Sequence, residues 1–186
     1  CIHGQSGAGK TTLADLILGV LEPSSGDILA GGTRISDDLS RWHQTIGYVP
    51  QNIYLLDDTI EANIAFGIPK EQIDHARIEK AIDRAQLRKT IEELPEGTQT
   101  FVGERGIRFS GGQRQRIGIA RALYAEPEVL VLDEATSALD NETEAAVMES
   151  IDALHGEMTL IIIAHRLSTI QNCDVVYEIA DGKAVC

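Results

Sequence analysis

Apolar residues recur at every third or fourth position in several stretches of the chain. The first stretch predicts a helix over 12–21 with one apolar face. The same spacing returns at 78–85, so the middle of the chain is expected to be largely helical. Further helices are predicted near Ser110 and from Asn141, where Glu144 would complete a capping box.

Other apolar stretches are short and uninterrupted, as expected for strands that are buried on both faces of a sheet. They lie at residues 129–132 and 160–164, and a further strand is predicted at 46–49, where Pro50 stops it. A shorter strand is predicted at 27–30, and residues 175–179 and 183–185 flank an Asp-Gly turn and resemble a hairpin. Strands that alternate with helices predict an α/β fold with a mainly parallel sheet and an inserted helical piece at 52–124.

The composition is that of one globular domain. The 186 residues are 43% hydrophobic and 24% charged. Acidic residues outnumber basic ones 29 to 16, so nucleic acid is not expected as a partner. Three cysteines lack metal-ligand spacing, and their low, odd number favours a reducing compartment over a disulfide scaffold. The longest strictly apolar run, 160–164, is far shorter than the about 20 residues of a membrane-spanning helix.

A glycine-rich loop, G-Q-S-G-A-G-K-T-T, stands at residues 4–12 just before the first predicted helix. Glycines let successive backbone N–H groups point at phosphate oxygens, and the helix adds its positive end. Lys10 would reach the β- and γ-phosphates, and the Thr11 hydroxyl would bind Mg²⁺. The predicted nucleotide-contacting residues are Gly4, Gln5, Ser6, Gly7, Ala8, Gly9, Lys10, Thr11 and Thr12. Because only three residues precede the loop, we expect the chain to be a fragment.

Polar side chains follow three of the predicted strands. Asp133 and Glu134 end the strand at 129–132, and ligands gather at the carboxyl ends of strands in an α/β sheet. Asp133 would therefore order the metal or its water shell, and Glu134 would act as general base. Both carboxylates are also compatible with helix caps. His165 either donates a hydrogen bond to the γ-phosphate or is a packing or capping residue. Gln51 either ligates the metal or caps a turn.

A second glycine pair stands in the run R-F-S-G-G-Q at 108–113. One nucleotide needs only one phosphate-binding loop, so this pair requires another explanation. Ser110 would cap a helix whose first N–H groups, at Gly111 and Gly112, form another anion site. This site lies within the inserted helical piece, and it suggests contact with a phosphate held by another subunit. An ordinary glycine-rich helix start is the alternative.

Taken together, these motifs resemble the nucleotide-binding domain of an ABC transporter over essentially all 186 residues. The matching motifs are the Walker A loop at 4–12, the Q-loop Gln51, the signature Ser110, Gly111, Gly112 and Gln113, the Walker B residues Asp133 and Glu134, the D-loop at 137–140 and the switch histidine His165. They stand in the family's order. One departure, Phe109 in place of the commonest leucine, is expected to have little effect.

The resemblance implies an ATPase in which two domains enclose two ATP molecules head to tail, with Mg²⁺. Each ATP would lie between Walker A of one subunit and the signature of the other, with Asp140 of the D-loop nearby. Catalytic roles would fall to Glu134, His165 and Gln51, and metal contacts to Thr11, Gln51 and Asp133. A homodimer is the simpler expectation because the catalytic positions match the family.

The resemblance also implies a P-loop core at 1–51 and 125–186, a helical subdomain at 52–124 and a partial antiparallel subdomain. Residues 100–106, 59–64 and 164–169 are similar to exporter segments. The domain would power export or flipping at the cytoplasmic face of a membrane, attached through a transmembrane domain absent from this chain. Because no aromatic residue precedes the loop to stack on adenine, we expect ATP binding to be weaker than in a complete domain.

Three other functions fit parts of the sequence. An ABC-type ATPase of DNA repair or chromosome organisation is disfavoured because no sustained heptads separate the two glycine motifs. A nucleotide-dependent binding module without hydrolysis is disfavoured by Glu134 and His165. A small-molecule kinase would not need the signature, Asp140 and His165 in this order.

Overall fold

The computed structural model describes residues 1–136, 139–164 and 172–186. Its strands are β1 Ile2–Gly4, β2 Leu29–Ala30, β3 Thr33–Arg34, β4 Ile46–Val49, β5 Val129–Asp133, β6 Thr159–Ala164, β7 Tyr177–Ala180 and β8 Lys183–Val185. Its helices are α1 Lys10–Ile17, α2 Leu39–Thr45, α3 Ile60–Ile64, α4 His75–Arg84, α5 Arg88–Glu92, α6 Gly111–Tyr124 and α7 Asn141–Asp152.

Six strands form one sheet in the order β4-β5-β6-β1-β7-β8. The first five strands in this order run parallel, and only β8 pairs antiparallel, with β7. The hairpin turn at Asp181 and Gly182 has positive φ at both residues, as tight hairpin turns require. The α/β fold with a mainly parallel sheet and a terminal hairpin is therefore confirmed.

The helical middle packs onto this sheet through one apolar core. Helix α6 contacts α3, α4, α7 and β4. Fully buried aliphatic side chains such as Ile64, Ile82 and Ile117 belong to the same cluster as Leu130 and Leu132 of β5. No helix in the described part of the chain is long and apolar enough to span a membrane.

Two predicted helix ends differ from the structure. Helix α1 ends at Ile17 because Gly19 turns the chain with φ 72°. The capping box predicted for Asn141 and Glu144 is wrong. Asp140 is the N-cap, and its carboxylate accepts from the Thr143 N–H at 3.0 Å. Glu144 instead lies buried and accepts a hydrogen bond from the Thr136 hydroxyl at 3.1 Å.

The structure joins Cys1 to Cys173 by a disulfide, which the cysteine count did not predict. The pairing follows from the sheet, since β1 and β7 are parallel neighbours and the Tyr177 N–H donates to the Cys1 carbonyl. Residues 172 positions apart therefore have Cα atoms only 5.9 Å apart. Cys186 is a free, exposed thiol.

Candidate functional site

Parallel pairing brings the predicted site residues to one edge of the sheet. Gly4 ends β1, Asp133 ends β5 opposite Ile163 of β6, and Val49 of β4 pairs with Leu132. The glycine loop, the carboxylate pair and the segment leading to Gln51 therefore leave the sheet at the carboxyl ends of parallel strands, where ligands gather in α/β sheets.

The loop after β1 has the geometry of an anion cradle. Gly7 and Gly9 adopt φ 81° and 97°, a region that residues with a Cβ rarely visit. Gly9 is the N-cap of α1 and offers no side chain to the first N–H groups of the helix. A Cβ at either glycine would meet no atom within 4 Å, so the space beside the loop is open to a ligand.

Lys10 is held inside this loop. Its residue is only 4% exposed, and its Nζ donates to the carbonyls of Gly4 and Gln5, both at 3.0 Å. An ammonium group has three N–H donors. Among the described contacts two are used, so one remains for a phosphate oxygen.

The carboxylates lie where negative charge is already in excess. Asp133 is 6% exposed, and burial together with the neighbouring Glu134 raises its pKa. The Tyr48 hydroxyl donates to Asp133 Oδ2 at 3.4 Å and partly offsets this effect. A divalent cation would relieve the repulsion.

Within the described residues no group of three or more His, Cys, Asp or Glu side chains could hold a metal by itself. Magnesium commonly takes only one or two carboxylates from a protein and completes its shell with phosphates and water. The single buried Asp133 beside a hydroxyl-bearing phosphate loop therefore fits Mg²⁺ bound together with a nucleotide.

Gln51 and Glu134 meet directly across the sheet edge. The Gln51 Nε2 donates to Glu134 Oε2 at 3.0 Å, although the two residues are 83 positions apart. Glu134 has φ 49°, which is unusual for a residue with a side chain, and its N–H donates to the Ile163 carbonyl. The backbone therefore turns sharply to present this carboxylate beside Gln51.

The signature residues cap a different helix. The Ser110 hydroxyl accepts from the Gln113 N–H at 3.2 Å, and Gln113 Oε1 accepts from the Ser110 N–H at 2.9 Å. This reciprocal pair is a capping box, so the predicted cap at Ser110 is confirmed. The amides of Gly111 and Gly112 have no acceptor within the described part of the chain.

The glycine pair also has a packing role that the sequence did not reveal. A Cβ on Gly111 would lie 2.9 Å from Leu139 Cδ2, and one on Gly112 would lie 2.4 Å from Thr143 Cγ2. The start of α6 therefore fits tightly against the start of α7 only because both residues lack a side chain. No pattern in the sequence links two segments some 30 residues apart in this way.

Some predicted residues are not brought together. Helix α1 contacts β1 and β5, whereas α6 contacts α3, α4, α7 and β4, so the two glycine motifs stand on different parts of the fold. His165 follows the end of β6 in the sequence, and with Ser137 and Ala138 of the D-loop it lies outside the described residues. Asp140 is the exposed N-cap of α7.

Tyr48 is a site residue that the sequence analysis missed. It lies on the strand predicted at 46–49, and its hydroxyl reaches Asp133 because β4 and β5 are neighbours. The alternation along β4, with Gly47 and Val49 buried and Tyr48 exposed, was the available signal.

Comparisons with known proteins find relatives that match nearly all of this chain. The model of the ABC transporter family matches residues 1–137. An ATP-dependent lipid A-core flippase of Cupriavidus pinatubonensis is 45% identical over 182 residues, which cover 97% of this chain and 31% of the flippase. The ABC transporter B family member 21 of Arabidopsis thaliana is 43% identical over 98% of this chain and 14% of its own length.

A solved structure has the same fold. A bacterial Atm1-family ABC exporter with ATP bound matches with a TM-score of 0.85 and 40% identity, over 100% of this chain and 32% of the exporter. The chain thus spans about a third or less of the length of these relatives. With the family model matched over most of its length, the chain belongs to the ABC transporter family, as one of its nucleotide-binding domains.

Proposed function

We propose that this domain binds and hydrolyses ATP, and that the hydrolysis powers export or flipping of a substrate through a membrane domain. The observation that carries the proposal is the contact between Gln51 and Glu134 at the sheet edge, beside the glycine loop. It places a carboxylate and an amide at the carboxyl ends of β4 and β5, where a γ-phosphate and its attacking water are expected.

Within this proposal, the chain binds the phosphates and orients the water. Backbone N–H groups of residues 4–12 and the Lys10 ammonium hold the phosphate oxygens. The Glu134 carboxylate accepts a proton from the attacking water, and the Gln51 amide keeps that carboxylate in position. His165 is proposed to donate to the γ-phosphate.

Thr11, Gln51 and Asp133 are proposed to hold Mg²⁺. When bound, this cation would neutralise the charge that develops on the β- and γ-phosphate oxygens. The raised pKa of Asp133 supports a cation at this point, because a neighbouring positive charge stabilises the ionised form that the buried carboxyl otherwise disfavours.

We also propose that two copies associate head to tail, so that Ser110, Gly111, Gly112 and Gln113 of one copy, with its Asp140, contact the ATP held by the other. The support is the separate placement of the two glycine motifs, together with the amides at the start of α6. A helix that begins with unpaired N–H groups offers positive charge to a phosphate.

An exposed aromatic surface supports attachment to a membrane domain. Tyr54, Phe66 and Phe101, which we call the aromatic surface, are 64%, 53% and 49% exposed. Large exposed apolar side chains are candidates for contact with another protein. Within the proposed division of a core at 1–51 and 125–186 and a helical subdomain at 52–124, all three belong to the helical subdomain. This attachment would hold the domain at the cytoplasmic face of a membrane.

Phosphate release from ATP tests the hydrolysis proposal. Glu134→Gln keeps the size of the side chain and removes the base, so we expect the rate to fall by at least about 100-fold. Glu128→Gln, an exposed glutamate just before β5, is the matched control and is expected to leave the rate unchanged. Equal rates for Glu134→Gln and the unsubstituted chain would refute the role of Glu134.

Light scattering tests the head-to-tail proposal. A Glu134→Gln chain is expected to retain bound ATP, so its mass should double when ATP and Mg²⁺ are added. Ser110→Arg in the same background removes the cap and blocks the amides, and it is expected to abolish the doubling. Unchanged dimerisation of Ser110→Arg would show that the signature does not contact the second copy's nucleotide.

A further inference from the structure

Arg121, in the last turn of α6, uses its charge to hold backbone rather than an acidic partner. Its Nε donates to the Asn63 carbonyl at 2.8 Å, and its Nη1 donates to the Tyr54 carbonyl at 2.9 Å. Its Nη2 donates to Asn63 Oδ1 at 3.1 Å. Burial lowers the pKa of Arg121. A guanidinium that is partly desolvated to bind neutral oxygens has a specific positioning task.

Asn63 extends this contact into the segment after Gln51. Its side chain is fully buried, and its Oδ1 accepts from the Leu56 N–H at 2.8 Å as well as from Arg121. Its Nδ2 donates to the carbonyls of Leu56 and Thr59 at 3.1 and 2.9 Å. All four hydrogen-bonding positions of the amide are therefore used. The segment 54–59, helix α3 and helix α6 are joined through two side chains.

The same guanidinium lies against the aromatic surface. Arg121 Cζ is 4.8 Å from the centroid of the Phe66 ring, within the range of a cation–π contact. Phe66 is nevertheless 53% exposed, and Tyr54, whose carbonyl Arg121 binds, is 64% exposed. Arg121 therefore contacts two residues with exposed rings. It binds the backbone carbonyl of Tyr54, and it lies over the face of the Phe66 ring.

Helix α6 connects this support to the signature. It has 14 residues and so spans about 21 Å, with Ser110 capping one end and Arg121 near the other. Tyr54 is only three residues after Gln51, whose amide binds Glu134. Ser110 is thus connected to Arg121 through α6. Gln51 is connected to it through the short segment to Tyr54, whose carbonyl Arg121 binds.

We propose that Arg121 is a positioning residue that couples α6 to the aromatic surface, so that a movement of the signature shifts Tyr54 and Phe66 against the membrane domain. The inference rests on the proposed function. Lysine would not replace the arginine, because a single ammonium lacks the planar fork that reaches Asn63 and Tyr54 together and that stacks on Phe66.

Hydrogen exchange in the full-length transporter, reconstituted in lipid vesicles, tests the coupling. In a Glu134→Gln background, addition of ATP and Mg²⁺ is expected to change the exchange rates of both 110–116 and 54–66. With Arg121→Lys added, the change at 110–116 should persist, whereas the change at 54–66 should shrink by about tenfold, within the usual range of coupling between sites. Arg116→Lys is the matched control: Arg116 lies on the same helix as Arg121, and its guanidinium donates to the Ala146 carbonyl of α7 instead.

The outcomes separate the two proposals. Arg121→Lys that binds ATP with the parent's affinity, and that shows the parent's exchange changes in both segments, would overturn the role of Arg121 alone. A parent that does not bind ATP would overturn the proposed function and this inference with it. Should Arg121→Lys fail to fold, Phe66→Leu removes the ring from the other side. It should reduce the change at 54–66, and an undiminished change would also overturn the inference.

Discussion

The contact between α6 and α7 at Gly112 permits a quantitative prediction. An alanine there would place its Cβ 2.4 Å from Thr143 Cγ2, whereas two carbon atoms in contact prefer about 3.5–4.0 Å. The helices must therefore separate by more than 1 Å or the threonine must leave its position. Overpacking of this kind costs about 1–3 kcal/mol, and the better helix propensity of alanine returns up to about 1 kcal/mol. We expect Gly112→Ala to lower the free energy of unfolding by about 1–2 kcal/mol.

Thr143→Ser supplies the compensating change. It removes the Cγ2 that the new methyl group would meet and keeps the hydroxyl, which donates to Asp140 Oδ2 at 2.8 Å. Gly112→Ala combined with Thr143→Ser is therefore expected to be within about 0.5 kcal/mol of the unsubstituted chain. Thr143→Val is the control, because it keeps a methyl group in the same place and should give no recovery.

Urea unfolding followed by fluorescence of Trp42 measures these differences. Trp42 is the only tryptophan, and its indole donates to the Ile17 carbonyl at 2.8 Å, so its environment changes on unfolding. The double-mutant cycle should give a coupling energy of about 1 kcal/mol or more. A Gly112→Ala chain as stable as its parent, or one that Thr143→Ser does not restore, would refute the steric reason for this glycine.

Three further predictions concern titration and thiols. Tyr48 is 38% exposed, and the partial burial that remains, followed by the effect of Asp133, raises its pKa to about 12. Stability should therefore fall as the pH rises from 10 towards 12, and urea unfolding of Tyr48→Phe should show less of this fall. Hydrogen bonds from Thr143 lower the pKa of Asp140, so the stability that this carboxylate contributes should be lost as acid protonates it. Asp140→Asn remains a good cap and should lose this pH dependence. Asp140→Ala removes the cap and should be less stable than the parent at pH 7. In urea only Cys186 should react with a thiol reagent before reduction, and three thiols should react afterwards.

Strands β5 and β6 were predictable because strands buried on both faces appear in a sequence as continuous runs of apolar residues. Val129–Asp133 and Thr159–Ala164 lie inside the sheet with neighbours on both sides, and the strand Ile46–Val49 has the bounds that its sequence indicated. The proximity of Gln51 and Glu134 followed from the same reasoning, because carboxyl ends of parallel strands share an edge. No residue pattern gives their 3.0 Å separation.

What the sequence could not supply depends on contacts between distant segments. Helix α2, Leu39–Thr45, has no fully buried residue and therefore no clear apolar stripe. The sequence pattern places the N-cap of α7 one residue too late, at Asn141 instead of Asp140. Both are good capping residues, and only the backbone angles distinguish them. Arg121 carries no local signal, since its partners Asn63 and Tyr54 are 58 and 67 positions away.

The left-handed backbone of Glu134 has a consequence for selection. A non-glycine residue at φ 49° is about 1 kcal/mol or more less stable there than glycine would be. Glycine at this position would therefore strengthen the fold while deleting the carboxylate. Selection for stability alone would favour glycine at residue 134, so a glutamate that acts as the proposed base is retained there at a cost in stability. Variants evolved only for thermal tolerance, without selection for ATP hydrolysis, should therefore accept glycine at this position.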